Sequence, residues 1–356
     1  MLNAILMFIL KGVTVTLAFG LLILVHEYGH FLVARWTGVR VLRFSFGFGP
    51  KILGWKRGET EYWFSAVPLG GYVKMAGEQY SERTNDPGEY LSKPAAVRAL
   101  IVGAGPFVNW LLALVLLVGF FMAGLPGLLP IVGSVVDDMP AKAVGFQVGD
   151  QIKAIDGKRV DTWDEMTAVI HQSAGKKLNI AVQRGRSVTN FEVTPREEAV
   201  KTTTGEDLTV GLIGIGVGGA KLGPIEAVTT AWTLLNSWSV RTFEALGALF
   251  TGKRAFKDSV TGPLGIVYLT SEAVTMGAGP IIILLSIFSL SLAIFNCFPI
   301  PVLDGGHLLF IVLESLRGKP ISMRIQERAA FVGLMLLLTL ALFVSVNDLN
   351  RFWLNK

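Results

Sequence analysis

The sequence is poor in cysteine and in charged residues. Of its 356 residues only Cys297 is a cysteine, so the chain forms no internal disulfide and has no CxxC pair for a structural zinc ion. Charged residues make up 17% of the chain, whereas about 25% is usual in soluble domains. Hydrophobic residues make up 51%, and the mean hydropathy is +0.54. This composition argues against an ordinary soluble domain and predicts a membrane protein.

Two other features are missing. The formal net charge is +5, but the lysines and arginines do not form a basic domain interleaved with aromatic residues, so we expect no nucleic-acid partner. The apolar N-terminus lacks the basic n-region and the small-residue cleavage site of a secretory signal peptide. We therefore expect this segment to be retained.

The stretch Leu21–Ala34 combines a metal-binding pattern with a hydrophobic setting. It reads LLILVHEYGHFLVA, in which His26 and His30 are four residues apart and so lie on one face of a helix. Glu27 completes the pattern His-Glu-x-x-His, in which two imidazoles bind zinc and the carboxylate acts as a general base. Such side chains are costly at membrane depth unless they face a protein interior, a cavity or a metal. The stretch predicts an intramembrane zinc site with His26 and His30 as ligands and Glu27 as catalytic base.

A third ligand is expected near the other end of the chain. The segment Asn296–His307 reads NCFPIPVLDGGH, and its prolines and glycines force an irregular backbone, which membranes tolerate only where protein buries it or it lines a cavity. Asp304 in this segment is the carboxylate that a two-histidine zinc site lacks. His307 is the alternative third ligand.

The second apolar run, from Ala95 onward, contains small residues that allow a neighbouring helix to approach closely. Pro106 and Asn109 are expected to interrupt this run. For Asn109 we expect a hydrogen bond to another helix in preference to direct chemistry.

The region after the first apolar run is typical of β-structure. Phe44, Phe46 and Phe48 alternate along it, and a second β-rich run leads into a Pro-Leu-Gly-Gly-Tyr sequence that contains Gly70 and Gly71. Hairpins are predicted. They form either an ordinary buried sheet or an open edge to which an extended peptide adds as a further strand.

Residues 130–197 are soluble in character. Short strands, a Gly-Asp turn, the sequence Ala-Ile-Asp-Gly, an amphipathic helix near Asp164–Gln172 and a final strand pair follow one another, in an order that resembles a bacterial PDZ domain. PDZ domains bind an extended peptide at a sheet edge.

Because about 20 apolar residues are needed to cross a membrane, we divide the chain at its apolar runs. The predicted fold class is an α-helical polytopic membrane protein with about four transmembrane helices, a membrane-associated β-hairpin region and one inserted PDZ domain (α+β). The segments are 1–40, transmembrane helix 1 with HEYGH; 41–94, β-rich region and loop; 95–126, transmembrane helix 2; 130–197, PDZ domain; 198–277, linker and amphipathic helix; 278–313, transmembrane helix 3 with NCFPIPVLDGGH; 314–328, basic cytoplasmic loop; and 329–348, transmembrane helix 4.

Together, HEYGH, the PDZ-like insert and NCFPIPVLDGGH make the chain resemble the site-2 protease family of intramembrane zinc metalloproteases, specifically its bacterial RseP-type members. The resemblance implies that His26, His30 and Asp304 bind zinc and that Glu27 is the catalytic base. It also implies that Asn296 binds substrate, as does the β-rich region with Gly70 and Gly71. Some RseP-type proteins carry two PDZ domains, whereas this sequence shows one.

Positive charges give the expected orientation. Arg35, Arg40 and Arg43 follow the first span, which by the positive-inside rule places this end in the cytoplasm. The zinc site then lies towards the cytoplasmic side of a bacterial cytoplasmic (inner) membrane, and the PDZ domain lies outside. The expected partners are a transmembrane protein substrate, a peptide or protein at the PDZ domain, and the lipid bilayer.

The expected function is cleavage of single-span membrane proteins, such as anti-sigma factors and remnant signal peptides, in regulated intramembrane proteolysis. One alternative is a membrane-anchored PDZ scaffold or chaperone with a non-catalytic zinc site, although such a site does not require Glu27. The apolar runs argue against a soluble zincin protease, and the PDZ-like insert argues against a sporulation-type relative.

Overall fold

The computed structural model describes residues 2–201, 207–251 and 261–350. Its helices are α1 (Leu2–Trp36), α2 (Ala95–Ala123), α3 (Pro140–Val144), α4 (Trp163–His171), α5 (Pro224–Phe250), α6 (Pro263–Met276), α7 (Ala278–Asn296), α8 (Asp304–Arg317) and α9 (Met323–Leu349). Its strands are β1 (Val41–Arg57), β2 (Thr60–Met75), β3 (Val132–Val135), β4 (Gln151–Ile155), β5 (Lys158–Arg159), β6 (Leu178–Arg184), β7 (Ser187–Val193), β8 (Arg196–Lys201), β9 (Asp207–Leu212) and β10 (Ile215–Val217). Contacts divide the chain into two units, a helical unit that includes β1 and β2, and an inserted unit that includes β3 to β10.

Four of the described helices are long and apolar enough to cross a membrane. They are Lys11–Trp36 within α1, and α2, α7 and α9 over their whole lengths. Many of their large apolar side chains are exposed, and only a small part of α9 is buried. The number of apolar helices agrees with the sequence prediction, and their exposed faces have the character of surfaces that lipid covers.

Two predicted breaks are absent from the helical unit. Pro106 lies inside α2, which continues from Ala95 to Ala123 without interruption, because one lost backbone hydrogen bond is tolerated where neighbouring helices support the chain. The segment 314–328, predicted as a basic loop, is mostly helical: α8 extends to Arg317, and α9 begins at Met323. The break between them is short, with Gly318 in the left-handed conformation at the end of α8.

Strands β1 and β2 form the predicted hairpin, but each strand contributes two parts to the sheet. Lys51–Arg57 pairs with the first part of β2, and the residues 43 to 46 have two partners each. Phe46, for example, pairs with Phe64 on one side and Gly71 on the other. The first half of β1 therefore lies between two parts of β2, and the second part of β2 forms an outer edge of the sheet.

The inserted unit has its own hydrophobic core. A four-stranded sheet with the order β5-β4-β6-β7 packs with α3 and α4 around residues such as Ile152, Met166 and Ile180, which are fully buried. Strand β10 pairs with β3, and Ile213 just before β10 also belongs to this core. The domain therefore closes at Val217 and not at residue 197 as predicted, since a three-residue strand is too short to show a period in the sequence.

The segment 198–277, predicted as a linker with one amphipathic helix, is largely ordered secondary structure where it is described. It contains most of β8, then β9, β10, α5 and α6. Within this segment the sequence predicts an amphipathic helix from Lys221 to Lys257. Helix α5 lies inside that range, and it is not among the candidate membrane spans. The end of that prediction, at 252–257, lies outside the described residues.

Candidate active site

The His-Glu-x-x-His residues lie on α1, inside the helical unit. His26 and His30 are both 8% exposed, and their Nε2 atoms are 3.2 Å apart. The four-residue spacing places the two rings on one helix face, where their centroids are 4.8 Å apart and the rings nearly perpendicular. Two imidazole nitrogens thus converge on one point inside an apolar environment.

Asp304 reaches this point from the other end of the chain. It is the first residue of α8, after the irregular segment that follows α7, in which Val302 has a positive φ of 107°. A side chain at Gly305 or Gly306 would collide with the backbone of Phe298 or Ile300. The prolines and glycines of this segment therefore fold it tightly enough to bring the Asp304 carboxylate to the two histidines.

The distances between the three groups fit a metal ion. Asp304 Oδ2 lies 3.0 Å from His26 Nε2 and 3.4 Å from His30 Nε2, and these three residues form a potential metal-binding group. Two ligands of a tetrahedral zinc ion, each about 2.0–2.1 Å from it, lie about 3.3 Å apart. Asp304 Oδ2 is also a buried oxygen without a hydrogen-bond partner, as expected of an atom that binds a cation. The donor set and its geometry therefore suit zinc.

Helix α2 passes directly behind the two imidazoles. A Cβ on Gly105 would overlap the His30 ring, and one on Gly29 of α1 would collide with the backbone of Ala104. These two glycines let α1 and α2 cross in close contact. As a result the outer nitrogens of both rings face α2: His30 Nδ1 is 2.8 Å from Ile101 O, and His26 Nδ1 is 3.4 Å from Asn109 Nδ2.

Glu27 is partly buried next to the cluster and faces the sheet. A Cβ built on Gly71 of β2 would lie 3.5 Å from Glu27 Cγ, so the outer part of β2 approaches this carboxylate. Gly70 lies beside it against the Phe48 ring. The structure thus brings Gly71 close to Glu27.

The remaining predicted residues lie around the cluster. Asn296 is partly buried at the end of α7, where the irregular segment begins. His307 lies one turn into α8, and within the described residues the potential metal-binding group contains Asp304 and not His307. Gly105 is one of the small residues expected to allow close helix approach, and the structure places it against both rings. The contact of Ile101 was not predicted, because an apolar residue that offers only its backbone carbonyl carries no chemical signal.

Comparison with known proteins identifies the family. A family model described as "Peptidase family M50" matches residues 14–340. The chain belongs to peptidase family M50. This agrees with the resemblance to site-2 proteases, and it makes the protein a zinc-dependent protease.

Related proteins match this chain over nearly their whole length, and their names describe zinc metalloproteases. A protein of Rhizobium meliloti named "Putative zinc metalloprotease" is 35% identical over 94% of this chain and 94% of its own. "Zinc metalloprotease RasP" of Geobacillus kaustophilus is 29% identical over 94% of this chain and 97% of its own. The match thus extends over nearly the whole of this M50 protease and of both relatives.

Part of the chain is similar to a solved PDZ structure. The PDZ domain of the SdrC-like protein of Listeria monocytogenes is 28% identical and covers 26% of this chain and 86% of the solved one, with a TM-score of 0.20. That score is too low to assign the fold, so the PDZ assignment stays a prediction.

We predict that Gly105→Ala prevents normal zinc binding. The added methyl group overlaps the His30 ring and forces apart the two helices or the two imidazoles, and overpacking of this kind costs about 1–3 kcal/mol. Zinc content and zinc affinity of the purified protein should fall together, by about tenfold or more. Gly103→Ala, on the same helix, is the matched control, since a Cβ at Gly103 meets no neighbouring residue within 4 Å. Equal zinc affinity in the two variants would contradict the tight crossing.

Proposed function

We propose that this M50 protease cleaves peptide bonds within the membrane, with His26, His30 and Asp304 as the zinc ligands and Glu27 as the catalytic base. The observation that carries the proposal is the cluster itself. Ligand atoms from α1 and α8 meet at distances that suit a zinc ion, and the two histidines belong to a helix apolar and long enough to cross a membrane. Three protein ligands with one free position are typical of catalytic zinc sites, whereas structural sites use four. This supports an enzyme over a scaffold with structural zinc.

The chemistry follows from the groups that meet here. Zinc, when bound, lowers the pKa of a water molecule and polarises the peptide carbonyl. Glu27 accepts the proton of the attacking water and returns it to the leaving amine. The buried imidazoles stay neutral as ligands, and their outer contacts hold them in place.

We predict that Glu27→Gln keeps zinc but loses cleavage. Loss of the general base should lower the cleavage rate by about 100- to 10,000-fold, whereas the three ligand side chains are unchanged. Elemental analysis and cleavage of a single-span model substrate in detergent measure the two effects. Glu226→Gln, an exposed change on α5, is the control, and Asp304→Asn should lose zinc as well as cleavage. Cleavage by the Glu27 variant at the wild-type rate would contradict the assigned base.

The proposed substrates are single-span transmembrane proteins of the anti-sigma-factor type, together with remnant signal peptides. Support comes from the four apolar helices with exposed faces and from the histidines within one of them. We propose an inner-membrane location with the zinc site towards the cytoplasm, in agreement with Arg35, Arg40 and Arg43 after the first span. A soluble zincin would not expose so much apolar helix surface to water.

The outer part of β2 is the proposed substrate-binding edge. A helical substrate hides its carbonyl groups in internal hydrogen bonds, so the segment to be cut must become extended. Within the described residues no strand other than β1 pairs with residues 70–75. A strand of substrate added to this edge would lie beside Glu27, with its carbonyl groups accessible. Asn296 is proposed to contact the substrate near the start of the irregular segment.

We predict that Gly71→Ala lowers cleavage without removing zinc. Its Cβ would lie 2.7 Å from Ser45 O, so the outer strand has to move away from β1 next to Glu27. Misplacement of a substrate by about 1 Å can lower a rate 100-fold, and we expect a loss between about tenfold and 100-fold. Val67→Ala, an exposed change on the same strand, should have little effect. Zinc loss in the Gly71 variant would contradict this prediction, since the substitution would then act on metal binding and not on substrate positioning.

The inserted unit is proposed to be a PDZ-type domain that excludes substrates with bulky external parts and binds a peptide or protein partner. Because Val132 pairs with Val217 across β3 and β10, the two ends of this domain are adjacent. Residues 132–217 can therefore be replaced by a short glycine linker with little strain on the rest of the chain.

We predict that the variant without residues 132–217 cuts an untrimmed substrate faster than the intact enzyme does. The reason is that the proposed filter is gone while the cluster on α1 and α8 is unchanged. Cleavage rates of two model substrates that differ only in the size of the external domain provide the measurement. The small substrate is the control and should be cut at the same rate by both enzymes. Equal rates on the large substrate would contradict the filter.

A further inference from the structure

The two histidines of the cluster have their outer partners on the same helix. His30 Nδ1 lies 2.8 Å from the carbonyl oxygen of Ile101, and His26 Nδ1 lies 3.4 Å from the side-chain amide of Asn109. Ile101, Gly105 and Asn109 follow one another at intervals of four, which places them on one face of α2. This face therefore offers a backbone carbonyl to one ring, open space between the rings and an amide to the other ring.

The protonation of the rings decides what Asn109 must offer. The Nε2 atoms point towards Asp304 Oδ2, and a neutral imidazole that binds a metal through Nε2 carries its hydrogen on Nδ1. Each Nδ1–H therefore needs an acceptor. Ile101 O is one for His30, which leaves His26 to find its acceptor on the Asn109 amide.

The Asn109 side chain has an acceptor available. Asn109 is fully buried, and its Oδ1 is a buried oxygen without a hydrogen-bond partner. In the orientation that places Nδ2 towards His26, two donor groups face each other, and Oδ1 receives no hydrogen bond. Half a turn of the amide brings Oδ1 to His26 Nδ1–H and removes both mismatches, because the two ends of an amide have nearly the same shape.

We propose that Asn109 is a positioning residue, whose Oδ1 accepts the Nδ1–H hydrogen bond of His26 and so holds Nε2 of that ring towards the metal. The inference rests on the proposed role of His26 as a ligand and adds a residue with no direct contact to substrate or metal. Outer partners of this kind fix the tautomer and orientation of the ligand, and their removal weakens metal binding by about 10- to 100-fold. The interhelical hydrogen bond expected for Asn109 thus orients a zinc ligand.

Substitution of Asn109 in the full-length protein tests this role. Asn109→Leu keeps the size of the side chain and removes the acceptor, so its zinc dissociation constant should rise about 10- to 100-fold. Asn109→Asp keeps an acceptor oxygen and should bind zinc at least as tightly as the wild type. Both constants are measured in detergent by competition with a chromophoric chelator. Wild-type affinity in the Leu variant, or the same loss in both variants, would overturn the proposal.

Ser289→Ala is the matched control. Ser289 Oγ donates to the backbone oxygen of Asn109 at 2.7 Å, so this variant loses a buried hydrogen bond at the same residue without changing the side-chain amide. A merely structural role for Asn109 predicts that the Ala and Leu variants lose similar zinc affinity. The positioning role predicts wild-type affinity in the Ala variant.

Nitrogen NMR of histidine-labelled protein provides a readout that does not depend on the Asp variant. The chain has four histidines, and in the zinc-loaded wild type the Nδ1–H protons of His26 and His30 should exchange slowly with water. The Leu variant should lose the His26 signal and keep that of His30. Retention of both signals would overturn the proposal. Failure of the proposed function is distinguishable, since wild-type zinc affinity in a His26→Ala variant would remove His26 from the site whatever Asn109 does.

Discussion

The close crossing of α1 and α2 is the constraint on which the site depends. Gly29 and Gly105 allow contact between the two backbones at the level of His26 and His30. Only at this separation can a carbonyl on α2 accept a hydrogen bond from an imidazole on α1. A polar site in an apolar surrounding needs every donor and acceptor satisfied, and the helix crossing provides partners that water would provide in a soluble enzyme.

The charges of the proposed site also balance. A divalent zinc ion brings two positive charges, whereas Asp304 and Glu27 bring one negative charge each and the two histidines none. The sum is zero, and burial of a neutral set of groups costs far less than burial of an isolated ion. The same count explains why a carboxylate from α8 suits this site better than a third imidazole, which would leave a net positive charge inside the apolar unit.

Much of the candidate site could be predicted from the sequence, because its chemistry requires particular residue types at fixed spacing. The His-Glu-x-x-His pattern and the Asp304 segment are such signals, and the structure brings them together. The parts that escaped prediction are geometric. Ile101 contributes only a backbone carbonyl, and no residue type marks that role. The double pairing of β1 and the late strand β10 depend on contacts distant in sequence, which local patterns do not encode. Pro106 gave the wrong signal for α2, since tertiary support overrode its local preference.

The order of the residues along the chain has a consequence for biosynthesis. The two histidines and the glutamate are near the N-terminus, whereas Asp304 is the first residue of α8 and emerges from the ribosome long after them. Between them the chain makes the sheet, α2 and the whole inserted unit. The cluster is therefore incomplete until most of the protein has been synthesised. A nascent chain therefore lacks the full set of proposed zinc ligands, and any activity that depends on it, until Asp304 has been added.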